Sequence, residues 1–466
     1  MEIKLFNTMG KERQIFEPII PGEVKLYACG PTCYDYAHIG HFRAYVFVDT
    51  LVRMLKFNNL KVTHVMNITD VGHLTDDADQ GEDKIEMKAK KEGKSAWEIA
   101  EFYTEDFFNA MEKLNVKRSD IVCKATDHIQ DMIDLVKDIE DNGYTYKTSD
   151  GIYFDTSQLT DYGKLAGLDI EGLKEGARVE KNPEKRNPTD FALWKFSPKY
   201  KKRQMEWPSP WGRGFPGWHI ECTAMAMRYL GETLDIHTGG IDHIPVHHTN
   251  EIAQAESVTG KRYVNYWLHN NFITVEGEKM SKSKGNFYTM KDIEDREIDP
   301  LAVRYLFLTA NYRTQLNFTW HSLEAAEKTL DTLREHVKIF QEEKVGKTKF
   351  KKLDQYKERF LAFINDDLNT PEALSLMWKL IREEKDISNE DKHKLILEFD
   401  QVFGLGLDDI RIKKIVPLSV KRLLKEREEA RKNKNYKKAD NIRKELGKMG
   451  YEIQDTQKGM KVRKIR

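Results

Sequence analysis

The first 120 or so residues alternate between short apolar runs and stretches with helical periodicity. VKLYACG (24–30) predicts a buried strand. AYVFVDTLVRMLKF (44–57) repeats its apolar residues at helical spacing, and KVTHVMNIT (61–69) predicts a second strand. Strand, helix, strand is a crossover unit, which favours a parallel sheet. Ligands in such sheets gather beyond the carboxyl ends of the strands, where Cys29 and Thr69 fall. From about 122 to 210 the texture changes. KNPEKRNPTDFALWK and WPSPWGRGFPGW are rich in Pro, Gly and Trp, and GIYFDT (151–156) is a short strand, so an irregular inserted subdomain is expected. The α/β pattern resumes near 218 with a helix around ECTAMAMRYL, a strand TLDIHTGG and a helix beginning near His247. Beyond 320 the reading is helical. Thr370-Pro371-Glu372 predicts a helix start, with a hydroxyl cap and then proline in the first turn. Residues 421–447 predict a helical hairpin. Ala439, Ile442, Leu446 and Met449 supply its apolar stripe, and YEIQDTQKGMKVRKI follows as a β-hairpin.

Composition narrows the class. A chain of 466 residues exceeds one ordinary domain, and 22 Phe, 19 Tyr and 8 Trp can fill real cores, which excludes wholesale disorder. No apolar run approaches the roughly 18–20 residues of a membrane span. The first residues, MEIKLFNTMGKERQ, lack the apolar core of a secretory signal. Four cysteines do not make a disulfide framework, so a reducing cytosol is expected. Lys+Arg and Asp+Glu balance at 76 each, but residues 421–466 hold 17 basic and 7 acidic groups, a net of +10. A basic module on an acidic body suits a polyanionic partner; a solvated lysine-rich helix has the same composition.

Three groups of residues carry candidate chemistry. His38-Ile39-Gly40-His41 lies between a strand and a helix, where unpaired N–H groups and a partial positive charge favour phosphate. Alone, the quartet reads more simply as a turn before a helix. Lys279-Met280-Ser281-Lys282-Ser283-Lys284-Gly285-Asn286 suits a loop that neutralises charge on a polyphosphate, or a basic surface loop. Cys29, Cys222, His247 and Glu251 make an acceptable zinc set, the last two lying four apart on one helix face. Isolated cysteines are usually buried hydrophobes, and a helical His–Glu pair at that spacing is usually a surface contact. Cys29 and Cys33 could also share a metal with His38, although Cys33 reads better as a pocket-side or core thiol. Tyr34, Tyr36 and the aromatics of 102–108 are expected in the core.

HIGH followed by KMSKS on an α/β background resembles a class I aminoacyl-tRNA synthetase. YACGPTCYDYAHIGH, NITD, NPTDFALWK, WPSPWG, PGWHIECTAM, HHTNEIAQ, YWLH, EKMSKSKGN and DDLNTPEAL together resemble the cysteinyl-tRNA synthetase family, essentially from end to end. The resemblance implies one zinc ion per chain on Cys29, Cys222, His247 and Glu251, which selects cysteine through its thiolate. It implies ATP, with Mg2+, against His38, Gly40 and His41, with Lys279 and Lys282 catalytic at the phosphates. Gly239, Gly240 and Asp242 would meet adenosine, and Gly30, Thr69 and Trp218 would line the cysteine pocket. The fold implied is a Rossmann-type parallel-sheet catalytic domain with an inserted connective subdomain, then an α-helical bundle and a small C-terminal α+β module. The corresponding layout is 1–121 and 211–265 for the two catalytic halves, 122–210 for the insert, 266–320 for the KMSKS loop and stem contacts, 321–415 for the bundle and 416–466 for an anticodon-binding module. The implied partners are tRNA(Cys), L-cysteine and ATP, with no membrane; the family default is a cytoplasmic monomer.

Some positions depart from the family pattern. Thr249 stands where relatives often carry an acidic residue, and Val246 precedes the paired histidines where a proline is usual. NITDVGHLTDDADQGEDK holds a longer acidic loop (75–83), expected to be solvated. Three rival readings remain. A ligase joining cysteine to a small amine would lack the tRNA-binding C-terminus. A methionine enzyme would typically carry a Cys-x-x-Cys knuckle, absent here. A non-catalytic relative would tend to lose signature lysines or ligands.

Overall fold

The computed structural model describes residues 2–72, 83–167, 183–198, 202–281, 285–343, 345–409, 418–433, 435–456 and 459–464. Lys282 and all of the acidic loop except Asp83 lie outside the described residues.

A five-stranded parallel sheet organises the N-terminal part of the chain. Its strands are β1 (Glu23–Ala28), β2 (Lys61–Ile68), β3 (Ile121–Lys124), β4 (Leu234–Gly240) and β5 (Val264–Asn270), in the order β5-β4-β1-β2-β3. Every neighbouring pair is parallel. The strands read as near-continuous apolar runs because both faces are covered: Leu26, Tyr27, Val65, Ile68, Leu234 and Ile236 are all fully buried. The chain moves outward from β1 on one side and from β4 on the other. The crevice between their carboxyl ends is therefore the topological switch point, where such sheets bind ligands. The fifth strand, β3, lies at 121–124 and carries this sheet past residue 122, where the sequence texture changes.

Three helices set the site: α1 (Ile39–Phe57), α2 (Trp218–Leu230) and α3 (His247–Thr259). Helix α1 starts five residues before the position expected from apolar periodicity. The reason is a histidine cap. The Nδ1 of His38 accepts from the backbone N–H of Gly40 at 3.0 Å and of His41 at 3.4 Å. Periodicity cannot reveal a first turn built of His, Ile, Gly and His. A similar shift occurs at the helix Thr370–Arg382. Its cap is Asn369, whose side chain accepts from Glu372 N, so Thr370 and Pro371 are already helical. The more strongly capping residue, one position upstream, wins.

Between β3 and α2 the strands Thr145–Lys147, Gly151–Phe154, Phe191–Phe196 and Gly214–Pro216 form an antiparallel sheet in sequence order. After β5 come the helices Met290–Asp295 and α4 (Pro300–Leu308), then the bundle helices Trp320–Glu342, Phe350–Asn365, Thr370–Arg382 and Asn389–Phe403. The aromatics of 102–108 do not form one core. Tyr103 and Phe107 are buried, whereas Tyr36 and Phe102 are exposed and meet edge to face at 6.3 Å. Lys94 lies over the Phe102 ring, so a cation shields its exposed face. No described helix is long and apolar enough to cross a membrane.

Residues Met1–Asp408 form one compact unit and Asp409–Arg466 a second. The second unit pairs the helices Leu418–Lys432 and Tyr436–Lys448 and ends in an antiparallel hairpin, Tyr451–Thr456 with Gly459–Lys464. Val420, Leu424, Ile442, Leu446, Tyr451 and Ile453 make its core. Met449, expected in the apolar stripe, sits at the helix C-cap and is exposed.

A buried ion pair ties α1 to the helices beyond the sheet. Asp49 accepts from Arg304, from Arg53 Nε at 2.7 Å and from the Lys117 N–H at 2.8 Å. Arg304 also donates to the carbonyls of Phe403, Leu114 and Asn115. Burial alone would raise the Asp49 pKa, but Arg304 and Arg53 reverse that and hold it below the usual carboxylate value. Its contribution is therefore present above the unfolded carboxylate range and lost as pH falls through the depressed folded pKa. Asp49→Ala would strand a fully buried guanidinium. It is expected to cost about 3–5 kcal/mol near pH 7, read as a lower urea midpoint, and to lose less stability than wild type on acidification below about pH 4.

Candidate functional site

Cys29 follows β1 directly, Cys222 lies in the second turn of α2, and His247 and Glu251 occupy the first two turns of α3. These elements meet at the switch point, and one donor atom from each of the four residues falls within 4.8 Å of all the others. The Cys29 and Cys222 sulfurs are 3.9 Å apart, Cys29 Sγ lies 3.9 Å from Glu251 Oε1, and His247 Nε2 lies 3.1 Å from the same oxygen. A tetrahedral zinc centre with ordinary bond lengths has ligand–ligand edges of about 3.3–3.8 Å. The donor set fits such an ion in chemistry and in spacing.

The protons of the site point the same way. Burial lowers His247, but Cys222 and Glu251 more than reverse this and push it up to about 10. The Cys222 thiol is brought down to about 7 by its hydrogen bond from Cys29, while burial drives Cys29 well up. Burial also opposes ionisation of Glu251, yet His237 and His247 hold it below the carboxylate range. A dry cluster holding a carboxylate, a ready thiolate and an imidazolium releases its protons when a dication binds.

Surrounding residues fix the donor directions. His247 Nδ1 lies 2.9 Å from His219 Nδ1, which leaves Nε2 facing the cluster. Glu251 Oε2 lies 2.9 Å from His237 Nε2, which leaves Oε1 free for the cluster. Such outer contacts orient ligands and select the imidazole tautomer. The structure adds two residues that the four-ligand reading left aside. His237 and His248 make a second close set with Cys29 and Glu251. The signal in the sequence was a histidine within the apolar strand LDIHTGG, where a buried polar group requires a partner. Thr249, the departure from the family pattern, donates its hydroxyl to the Ile244 carbonyl at 2.8 Å and closes the entry to α3. An acidic side chain there could not make that bond.

Gly30, Thr69 and Trp218, expected to line a pocket, all lie beside cluster residues: Gly30 follows Cys29, Thr69 donates to Glu221 next to Cys222, and Trp218 meets His247. The Gly30 N–H donates to Asn67 Oδ1 at 2.7 Å, and a Cβ on Gly30 would sit 1.5 Å from the Asn67 carbonyl oxygen, so only glycine fits. Asn67 Nδ2 donates to Thr69 Oγ1 at 3.1 Å. The Trp218 ring lies 5.1 Å from the His247 ring, and Lys84 Nζ lies over the Trp218 ring at 5.8 Å from its centroid. Gly239 and Gly240 end β4, and Asp242 is exposed in the turn Ile241–His243.

His38 and His41 stack at 3.7 Å over the amino end of α1. The segment after the lysine-rich loop runs beside them: Ile39 N donates to the Tyr288 carbonyl at 3.0 Å, and His38 bridges Thr289. Before the loop, Lys279 is exposed at the end of a short strand, and a Cβ on Gly40 would meet Met280 Cε at 3.3 Å. Asn286 closes the base of the loop, accepting from Ser281 N at 2.7 Å and donating to the Lys279 carbonyl at 3.2 Å. Cys33 is buried away from the cluster, with its sulfur 3.8 Å from the Pro31 carbonyl, and burial pushes its pKa up to about 12. Among the described residues it joins no metal-ligating group.

Comparison with known proteins agrees with this geometry. A family model described as the class I (C) tRNA synthetase catalytic domain matches residues 15–328. One described as the cysteinyl-tRNA ligase anticodon binding domain matches residues 416–463. A cysteine–tRNA ligase of Treponema denticola is 47% identical over 483 residues, covering 98% of each chain. Cysteine–tRNA ligase 1 of Burkholderia lata is 48% identical over 465 residues, covering 99% of this chain and 97% of the other. Among solved structures, methionyl-tRNA synthetase of Mycobacterium tuberculosis in complex with methionyl-adenylate shares the fold, with a TM-score of 0.58 at 15% identity over 82% of this chain and 90% of that one. Matching models over both units and relatives aligned along nearly the whole length place the chain in the cysteine–tRNA ligase family of class I aminoacyl-tRNA synthetases.

Proposed function

We propose that the chain activates L-cysteine with ATP, transfers it to tRNA(Cys), and selects cysteine through a zinc ion held by Cys29, Cys222, His247 and Glu251. The observation that carries this reading is the convergence of those four buried donors at the switch point of the sheet. When bound, zinc supplies a soft Lewis acid that prefers a thiolate to a neutral hydroxyl. That preference supplies what shape cannot, because a pocket separates near-isosteric serine and cysteine only weakly. The set containing Cys222 and His247 is favoured over the one containing His237 and His248 because it offers two sulfurs, and because His237 is engaged with Glu251 Oε2.

The remaining roles follow from position. Gly30, Thr69 and Trp218 hold the amino acid beside the cluster. His38, Gly40 and His41 receive the ATP phosphates, with Mg2+, at the amino end of α1, where the helix dipole favours anions. Lys279 and Lys282 stabilise the charge that gathers at the α-phosphate as the carboxylate attacks and pyrophosphate leaves. Gly239, Gly240 and Asp242 take the adenosine, the exposed Asp242 accepting from ribose hydroxyls. Chemistry of this kind is positioning and charge stabilisation, with no covalent enzyme intermediate. The basic module at 416–466 grips the anticodon end of the tRNA. The chain works as a monomer in a reducing cytoplasm, which keeps its four free thiols available.

ATP–pyrophosphate exchange tests the reading. Cysteine should support exchange more than about 100-fold better than serine, beyond what shape gives, and a strong chelator should abolish it. Exchange with methionine alone, or undiminished exchange in metal-free enzyme, refutes it. Elemental analysis should find one zinc per chain; Cys222→Ser should lose it and Cys33→Ser should keep it. Removing residues 409–466, a compact unit of its own, should weaken tRNA charging about tenfold or more at physiological salt while leaving exchange within about twofold. Equal losses in both assays count against the module as the RNA grip.

A further inference from the structure

A buried chain of hydrogen bonds crosses the floor of the pocket, and its direction is fixed at both ends. At one end, the Gly30 N–H donates to Asn67 Oδ1 at 2.7 Å. A backbone N–H can only donate, so the Asn67 amide has its oxygen toward Gly30 and its nitrogen toward Thr69. That nitrogen donates to Thr69 Oγ1 at 3.1 Å. At the other end, the Thr69 hydroxyl donates to Glu221 Oε2 at 2.9 Å. Asn67, Thr69 and Glu221 are all essentially excluded from solvent. Gly30 and Glu221 each adjoin a cluster residue, Cys29 and Cys222, so the chain links the two sulfur-bearing elements.

A threonine hydroxyl has one hydrogen to give and two lone pairs to offer. Here the hydrogen is committed to Glu221 and one lone pair to Asn67. The second lone pair is all that Thr69 can present to a substrate, so toward the pocket it is an acceptor only. Of the polar groups of L-cysteine the carboxylate can only accept and the ammonium can only donate.

We propose that Glu221 is a positioning residue that locks the Thr69 hydroxyl as an acceptor and thereby makes this side of the pocket specific for the α-ammonium group. The inference rests on the reading of the site as the cysteine pocket. Glu221→Gln removes the lock, because an amide can donate to Thr69 as well as accept from it and carries no charge.

The experiment compares two ligands on the full-length enzyme with its metal: cysteine, through its KM in ATP–pyrophosphate exchange, and 3-mercaptopropionate, which has the thiol and carboxylate but no amine, through its Ki against cysteine. Glu221→Gln should raise the KM for cysteine about tenfold or more, the usual scale for a hydrogen bond to a charged group. The Ki of 3-mercaptopropionate and the metal content should stay within about twofold of wild type. Thr69→Val should show the same selective loss, and Thr69→Ser, which keeps the hydroxyl, should restore most of it; this pair decides the matter if Glu221→Gln does not fold. Equal losses for both ligands, or loss of metal, would mean that Glu221 only supports Cys222 and overturn the proposal, as would an unchanged KM for cysteine. If 3-mercaptopropionate fails to compete on the wild-type enzyme, the reading of the pocket itself is at fault.

Discussion

Four metal-ligating groups buried in one dry pocket impose the strongest constraint on this fold. Burying unpaired charge is costly, and an arrangement of two thiols, an imidazole and a carboxylate is stable only when protons or a cation balance it. The protein meets the constraint with hydrogen bonds. Helix α3 is polar in sequence yet buried for most of its length. Its polar residues are partnered one by one: His248 Nδ1 lies 2.7 Å from His269 Nε2, the His269 Nδ1 meets the Thr8 hydroxyl at 2.7 Å, and Asn250 accepts from the Tyr162 hydroxyl at 2.6 Å. A helix held in this way has little rotational freedom. The donor atoms of His247 and Glu251 are thus aimed by the scaffold itself.

The same economy joins the two signature segments. The backbone of 288–289 runs alongside 38–39, so the amino end of α1 and the base of the lysine-bearing loop share hydrogen bonds. Asn286 then pins both stems of that loop to each other. For a reaction dominated by orientation and charge placement, this matters more than any single cation. It fixes the positive helix end and the base of the loop relative to one another.

Much of this was legible in the sequence. The crossover unit, the parallel sheet and the terminal hairpin follow from apolar periodicity, and the four-residue cluster follows from its spacing together with the family pattern. What escaped had local causes. The first turn of α1 carries no apolar stripe because it is built to cap and to face a ligand. At Asn369 two adjacent residues can both cap, and side-chain geometry decides between them. Tyr36 and Phe102 look like core residues by type, but their burial depends on neighbours distant in sequence. The buried companions His237 and His248 were hidden for the same reason: a histidine's partner is a tertiary fact.

The ion pair of Asp49 gives the catalytic sheet a fixed reference in the helical region. At about 28 Å, helix α1 runs from the paired histidines back to the start of β2. Along its length it is joined to α4 by Asp49–Arg304, whose arginine also donates to the Phe403 carbonyl, and to the bundle by Arg53, which donates to the Gln401 carbonyl at 3.2 Å. Asn115, at φ +53°, donates to the Gly404 carbonyl and accepts from Arg53 and Arg304, closing the junction from the loop side. Sliding the bundle along α1 would separate the charge-assisted bonds of the buried Asp49 and Arg304, which is costlier than rearranging apolar contacts. The helices that follow the lysine-rich loop are thus indexed to the helix that begins with the paired histidines. Whatever the bundle holds is therefore held at a defined distance from the paired histidines.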